Sequence, residues 1–251
     1  MTRVLILGGT TEASRLAVAV KAAGLDAVFS YAGRTVAPVR QPLPTRIGGF
    51  GGVAGLCRYL RDEAITHVVD ATHPFAVEIS ANAAAACAGC GVPLLALERT
   101  PWQAGPGDRW RGVPDLAHAV AALPIPPTRI FLAIGNQHLA AFAHAPQHHY
   151  LVRLVDPPQH PLPLARVEIV IARGPFDIDG DCALMQRHGT QLVIARNSGG
   201  AGADAKLVAA RRLGLPVVLI ERPQMPPRRR AETVEEVMDW LADTHRAPLG
   251  V

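Results

Sequence analysis

The chain has 251 residues, of which 49% are hydrophobic and 18% are charged, and its formal net charge is +4. This apolar content excludes an intrinsically disordered chain, and the length suffices for one or two domains with buried cores. No apolar run reaches the roughly 20 residues of a membrane span, and the N-terminus enters a strand pattern without a signal peptide. We therefore expect a cytoplasmic protein with no membrane partner.

The basic residues are almost all arginine, because only Lys21 and Lys206 are lysines. Arginine binds carboxylate and phosphate groups through two parallel donors, which favours a small anionic ligand; a GC-rich genome explains the same bias. The densest basic run, Arg228–Arg230, is typical of a solvated loop and lacks the long stripe of a nucleic-acid-binding protein. We predict no nucleic-acid partner.

The first hundred residues alternate between short apolar runs and helical stretches. The predicted strands are Val4–Leu7, Ala27–Ser30, Thr45–Ile47, His67–Asp70 and Pro93–Glu98. The predicted helices are Thr11–Ala23, Gly52–Asp62 and Phe75–Ala88. This alternation predicts a parallel sheet that is covered by helices on both faces.

The segment Pro101–Gly112 breaks this rhythm with Pro, Gly and Trp residues, and the alternation then resumes. The later predicted strands are Arg129–Ile134, Tyr150–Val155, Val167–Ala172, Gln191–Arg196 and Val217–Glu221, and the helices are Asp177–His188, Asp204–Leu213 and Thr233–Asp243. The predicted fold class is α/β, with two Rossmann-like parallel-sheet domains and the active site in the cleft between them. We expect a cofactor domain at residues 1–100 and a substrate domain at residues 101–251.

The turn after the first strand, Gly8–Ala13, has the features of a pyrophosphate site. Its glycines permit close backbone approach, and the following helix directs N–H groups at an anion. It departs from G-x-G-x-x-G, and an ordinary tight turn is the alternative interpretation. The candidate cofactor residues here are Gly9, Thr10, Thr11 and Glu12.

The end of the second strand indicates which nicotinamide cofactor is bound. NAD sites usually carry an acidic residue there, whereas this sequence has Ser30, Gly33 and Arg34. A hydroxyl and an arginine suit a 2′-phosphate, which a carboxylate would repel. The sequence therefore favours NADPH over NADH, although a solvated loop explains Arg34 equally simply.

Two later groups of residues also follow predicted strands. Thr72 and His73 stand at a strand–helix corner in Asp70–Ala76, which places Thr72 beside the cofactor and makes His73 a candidate proton donor or ligand contact. In the second half, the candidate substrate-binding residues are Arg173, Ser198, Gly199 and Lys206. Hydroxyl, glycine and amine groups at two such corners favour an anion site over ordinary glycine-rich loops.

Several other chemistries lack their sequence signatures. Cys87 and Cys90 have a metal-like spacing, but no second pair or following histidine completes a ligand set, so we predict no metal site. The chain has no Tyr-x-x-x-Lys pair, no P-loop and no G-x-S-x-G elbow. A methyltransferase is disfavoured because the acid that would hold the ribose hydroxyls is missing.

Four segments together resemble the precorrin-6A/cobalt-precorrin-6A reductase family of cobalamin biosynthesis. They are Gly8–Ala13, Asp70–Ala76, Ala172–Phe176 and Asn197–Lys206, and the resemblance extends over roughly residues 3–223. It implies that NADPH reduces one double bond of a methylated tetrapyrrole, giving precorrin-6B.

The resemblance further implies that an anionic tetrapyrrole fills the cleft, with possible channelling to neighbouring pathway enzymes. The proton could come from His73, from water or from the substrate. Two alternatives stay open: the cobalt-containing substrate of the anaerobic route, and a non-catalytic NADP(H) sensor.

Overall fold

The computed structural model describes residues 2–33, 38–200 and 202–246. The chain divides into two compact units. The first comprises Met1–Arg99 together with Gln224–Val251, and the second comprises Thr100–Pro223. In sequence, the second unit is therefore an insertion within the first, and each unit contains its own six-stranded sheet.

The strands of the first unit are β1 (Arg3–Leu7), β2 (Asp26–Tyr31), β3 (Thr45–Ile47), β4 (His67–Asp70), β5 (Leu94–Leu97) and β12 (Arg229–Ala231). Their order is β3-β2-β1-β4-β5-β12, and all neighbours are parallel. The direction of winding reverses between β1 and β4. In doubly wound sheets of this order, ligands bind at that reversal, outside the carboxyl ends of the strands.

Both faces of this sheet are covered by helices: α1 (Thr11–Ala22), α2 (Gly52–Asp62), α3 (Val77–Cys90) and α7 (Val234–Arg246). Val4 and Ile6 of β1 share a buried cluster with residues of α1 and α7. The alternate residues Leu5 and Leu7 share another with residues of α2 and α3. A strand that is buried on both sides needs the continuous apolar run that the sequence shows here.

The second unit contains β6 (Trp110–Val113), β7 (Arg129–Ala133), β8 (His149–Leu154), β9 (Val167–Ile171), β10 (Leu192–Arg196) and β11 (Val217–Ile220). Its helices are α4 (Leu116–Ala121), a 3-10 helix (Asn136–His144), α5 (Ile178–His188) and α6 (Ala205–Arg212). The parallel strands have the order β9-β8-β7-β10-β11-β6, which again reverses once, between β7 and β10. The prediction of two Rossmann-like α/β domains is confirmed.

The predicted boundary between the domains differs from the structure at the C-terminal end. The sequence interpretation assigns residues 101–251 to one domain, but β12 pairs with β5 of the first unit. Val237, Trp240 and Leu241 of α7 are buried in the same cluster as Val4. The short strand Arg229–Ala231 carries no apolar pattern, because it lies at the edge of its sheet and exposes both arginines.

The break at Pro101–Gly112 also contains structure that the sequence pattern does not reveal. Trp110–Val113 forms β6, which pairs with β11 at the edge of the second sheet. Only Val113 of this strand is buried, so the strand lacks an apolar run. The two strands that the sequence misses are thus both short edge strands.

Candidate active site

The chain turns sharply at Gly8 and Gly9, where β1 ends. A Cβ atom on Gly8 would lie 2.1 Å from the ring of Phe29, so no larger residue fits unless that ring moves. Gly9 has a φ of +130°, which L side chains rarely adopt. The amide of Gly8 donates to the carbonyl of Ser30 at 2.9 Å. The turn therefore brings bare backbone close to the carboxyl end of β2.

A cavity of about 460 Å³ opens at the carboxyl ends of β1 to β4. Five of the predicted residues line it: Gly9, Ser30, Gly33, Thr72 and His73. The remaining lining comes mainly from the loop Gly48–Gly52 and from Ala76, Glu78, Ile79 and Asn82. Its volume is typical of a small-molecule site, and its position is the reversal point of the sheet.

Three of the predicted cofactor residues do not line this cavity. The Thr10 hydroxyl caps α1, since it accepts from the amide of Ala13 at 3.1 Å and donates to the carbonyl of Ala71 at 2.8 Å. Thr11 is exposed. Glu12 forms an ion pair with Arg99 at 3.3 Å. The contacts of Thr10 and Glu12 are thus structural, and it is Gly9 that faces the cavity.

Arg46 is a candidate functional residue that the sequence interpretation missed. It lies beside Ser30 in the register of β2 and β3, and its Nη1 donates to the Ser30 hydroxyl at 2.9 Å. The same guanidinium donates to the carbonyls of Gly48 and Gly49 at 2.9 and 3.0 Å, and it stacks on the ring of Phe50. Burial lowers the pKa of Arg46 from its usual value, and an arginine remains charged at neutral pH.

The strand register is the signal that would have identified Arg46. A short predicted strand at Thr45–Ile47 directly follows β2 in the chain, and consecutive parallel strands of this fold are commonly neighbours. Pairing them places the arginine next to the serine already selected. Arg34, which the sequence assigns to the same phosphate, lies outside the described residues.

Thr72 and His73 occupy the opposite side of the reversal point, after β4. The Thr72 hydroxyl donates to Oδ1 of the buried Asp70 at 2.7 Å and lies 3.2 Å from the hydroxyl of Ser80. The amide of Phe75 donates to Nδ1 of His73 at 3.2 Å. Because Nδ1 accepts this bond, the neutral imidazole carries its proton on Nε2.

In the second unit, the predicted loop Asn197–Gly200 follows β10 at the reversal point of its own sheet. The Asn197 side chain accepts from the Trp102 amide at 2.8 Å and donates to the Trp102 carbonyl at 3.1 Å. The Trp102 indole in turn donates to the carbonyl of Gly200 at 2.8 Å. Gly199 has a φ of +66°, and its Cβ would lie 2.2 Å from the carbonyl of Thr100. The loop is therefore fixed against the chain that precedes β6.

Ser198, Gly199 and Lys206 lie in or beside this fixed loop, and Arg173 lies elsewhere. Lys206 is buried, donates to the carbonyl of Ala203 and lies 4.8 Å from the centre of the Trp102 ring. Arg173 follows β9 at the edge of the sheet, is exposed and lies 3.8 Å from the carboxylate of Asp156. Of the four substrate residues predicted in the second half of the chain, the structure thus places three in or beside the loop that Trp102 holds, and the sequence interpretation did not select Trp102.

Comparison with known proteins identifies the family. Residues 3–242 match the family model described as "Precorrin-6x reductase CbiJ/CobK". The chain belongs to this family. It is 64% identical over 251 residues to the precorrin-6A reductase of Rhodobacter capsulatus, covering all of both chains. A solved structure described as "CobK precorrin-6A reductase" has the same identity and coverage, with a TM-score of 0.95.

More distant relatives carry both forms of the name. The precorrin-6A reductase of Rhodococcus erythropolis is 46% identical over 243 residues, with 96% of this chain and 97% of the relative covered. The cobalt-precorrin-6A reductase of Priestia megaterium is 30% identical over 256 residues, with 97% and 100% covered.

Family membership confirms the resemblance inferred from the four sequence segments. The chain is an oxidoreductase of cobalamin biosynthesis, and its reaction requires a hydride donor. Within residues 2–33, 38–200 and 202–246, none of the helices combines the length and apolarity that a membrane crossing requires.

Proposed function

We propose that this chain uses NADPH to reduce one double bond of metal-free precorrin-6A, giving precorrin-6B. The observation that carries the proposal is the 64% identity, over the full length of both chains, to a precorrin-6A reductase. The relative named for the cobalt-containing substrate is 30% identical. This difference supports the metal-free substrate over the cobalt-containing one.

The residues around the cavity of the first unit fit a dinucleotide. The backbone at Gly9 is open, since a Cβ atom there would meet no atom within 4 Å, and this opening follows β1 as a pyrophosphate site requires. The four glycines of the loop Gly48–Gly52 add further bare backbone to the cavity lining. Glu78, at the start of α3, also lines it and is suited to accept from hydroxyl or amino groups of the nucleoside.

The preference for NADPH over NADH rests on the end of β2. Residues 30–37 contain no carboxylate, so the acidic group that usually accepts from the ribose hydroxyls of NAD, and that would repel a phosphate, is absent from this stretch. Ser30 and the Arg46 guanidinium bonded to it present a hydroxyl and a fixed cation at this position. Arg34 adds a second arginine in the same stretch of sequence. We assign these three residues to the 2′-phosphate.

The reduction requires the protein to orient the cofactor and the substrate and to deliver one proton. When bound, NADPH supplies the hydride. His73 lines the cavity, and Nε2 is the ring nitrogen that does not accept from Phe75, so this atom is the candidate route by which a proton reaches the carbon next to the one that receives the hydride. Thr72 contacts the cofactor from the same corner. Addition of one hydride and one proton accounts for both hydrogens of the reduced double bond.

The second unit supplies contacts to the carboxylates of the tetrapyrrole. Arg173 is exposed, and a guanidinium binds a carboxylate through two parallel bonds. Ser198 and Gly199 lie at the reversal point of the second sheet, where the loop is already fixed. Lys206 contributes through its contacts with Trp102 and Ala203, which hold that loop.

The test is a turnover assay that monitors loss of reduced nicotinamide together with the mass of the tetrapyrrole. We expect NADPH oxidation with metal-free precorrin-6A and a product that carries two additional hydrogens. Faster turnover of cobalt-precorrin-6A would favour the anaerobic reaction. NADPH binding without turnover of either substrate would favour the non-catalytic sensor and refute the proposal.

A further inference from the structure

Arg228 is an arginine of the first unit whose side chain is buried. The sequence interpretation placed it in a solvated loop, but its side chain is only 4% exposed. Its Nη1 lies 3.1 Å from Oδ2 of Asp70, and its Nε donates to Glu98 at 3.1 Å. Arg229 and Arg230, the other members of the run, are exposed.

Asp70 connects this arginine to the cavity. The carboxylate is 1% exposed and directs Oδ2 at Arg228 and Oδ1 at Thr72. Oδ1 accepts from both the amide and the hydroxyl of Thr72, at 3.2 and 2.7 Å. Thr72 lines the cavity, so the chain of contacts runs from Arg228 through Asp70 to a cavity wall.

The direction of these bonds determines whether the Thr72 hydroxyl donates or accepts a hydrogen bond on the side of the cavity. A carboxylate held beside a guanidinium only accepts hydrogen bonds, so the hydroxyl proton of Thr72 is committed to Asp70. With that proton committed, the Ser80 hydroxyl at 3.2 Å donates to Thr72 and uses one lone pair, and the second lone pair makes Thr72 an acceptor for a further group. Burial of three charged groups costs desolvation energy, and apolar residues of similar volume often stabilise a fold as well or better. The cluster is therefore better explained by the orientation it gives to Thr72 than by stability.

We propose that Arg228 is a positioning residue, which acts through Asp70 to fix the Thr72 hydroxyl as an acceptor for an O–H or N–H group of the bound nicotinamide cofactor. The inference rests on the proposed function. Asp70→Asn is the sharpest perturbation, because it keeps the shape but allows the side-chain amide to donate to Thr72 and reverse the bond. Arg228→Lys keeps a cation but cannot contact Asp70 and Glu98 at the same time as the guanidinium does. Arg229→Lys is the matched control at an exposed position.

The experiment measures the Kd of NADPH by fluorescence titration, with kcat and KM, in each variant and in the same variants carrying Thr72→Val. We expect Asp70→Asn and Arg228→Lys to raise Kd about 10-fold and to lower kcat by up to about 100-fold, because reacting groups are misplaced. In the Thr72→Val background the same changes should add nothing. Arg229→Lys should match the wild type.

The outcomes separate this inference from the proposed function. A wild type that does not bind NADPH overturns both. A wild type that binds and turns over, with an unchanged Kd in Asp70→Asn and Arg228→Lys, overturns the inference alone. Full additivity with Thr72→Val, or a lowered melting temperature with unaltered binding, shows a merely structural role and also overturns it.

Discussion

Replacing Arg46 by methionine should weaken the binding of NADPH much more than the binding of NADH. Methionine keeps an unbranched stem over Phe50 but removes the guanidinium that donates to Ser30, Gly48 and Gly49. A hydrogen bond to a charged group contributes about 1.5–3 kcal/mol, so the Kd of NADPH should rise about 10- to 150-fold. NADH lacks the phosphate, and its Kd should change by less than about 5-fold, reflecting only a looser loop.

The assay is a fluorescence titration of both dinucleotides, with Arg58→Met as the control because Arg58 is an exposed arginine on the neighbouring helix α2. Arg34→Met in the same assay tests the second arginine predicted for the phosphate. Thermal melts should show a small loss for Arg46→Met, since two of its three acceptors are backbone carbonyls at a loop. An equal loss of affinity for NADPH and NADH would refute the assignment of Arg46 to the 2′-phosphate.

Three further predictions concern the fold. Gly8→Ala should destabilise the protein by about 1–3 kcal/mol because of the contact with Phe29, and Phe29→Leu in the same chain should restore part of the melting temperature. Truncation after Pro223 removes β12 and α7, so the first unit should lose its cooperative thermal transition. The hydrogen bond from Arg211 holds the pKa of Asp108 below its usual value, so Asp108→Asn should melt below the wild type at pH 7. That difference should vanish in acid, below the lowered pKa of the folded state, as melts across pH would show.

The sequence predicts the central strands well because burial on both faces leaves a clear signature. Val4–Leu7 is fully apolar, His67–Asp70 has two central valines and is buried throughout, and both strands lie in the middle of the first sheet. The edge strands β6 and β12 leave no such signature, since most of their residues are exposed. Nothing local in Arg229–Ala231 shows that it completes a sheet whose previous strand ends 132 residues earlier, at Leu97.

The candidate site was predictable wherever function depends on the position of the backbone. Gly9, Thr72 and His73 follow strands at the reversal point, and the fold brings them to one cavity. Side-chain roles were harder to predict, because a threonine before a helix serves equally well as a cap or as a ligand contact. Thr10 acts as the cap. Arg46 and Arg228 became visible only through strand pairing and contacts between distant parts of the chain.

The insertion of one unit within the other has a consequence for biosynthesis on the ribosome. Synthesis of the 131 residues between Leu97 and Arg229 takes on the order of ten seconds at about 5–20 residues per second. During that interval the edge of β5 that later pairs with β12 has no strand partner, while the second unit, which is continuous in sequence, can already fold. The first unit is therefore the first to be synthesised and the last to complete its sheet. Its nascent form exposes an apolar strand edge of the kind that chaperones protect.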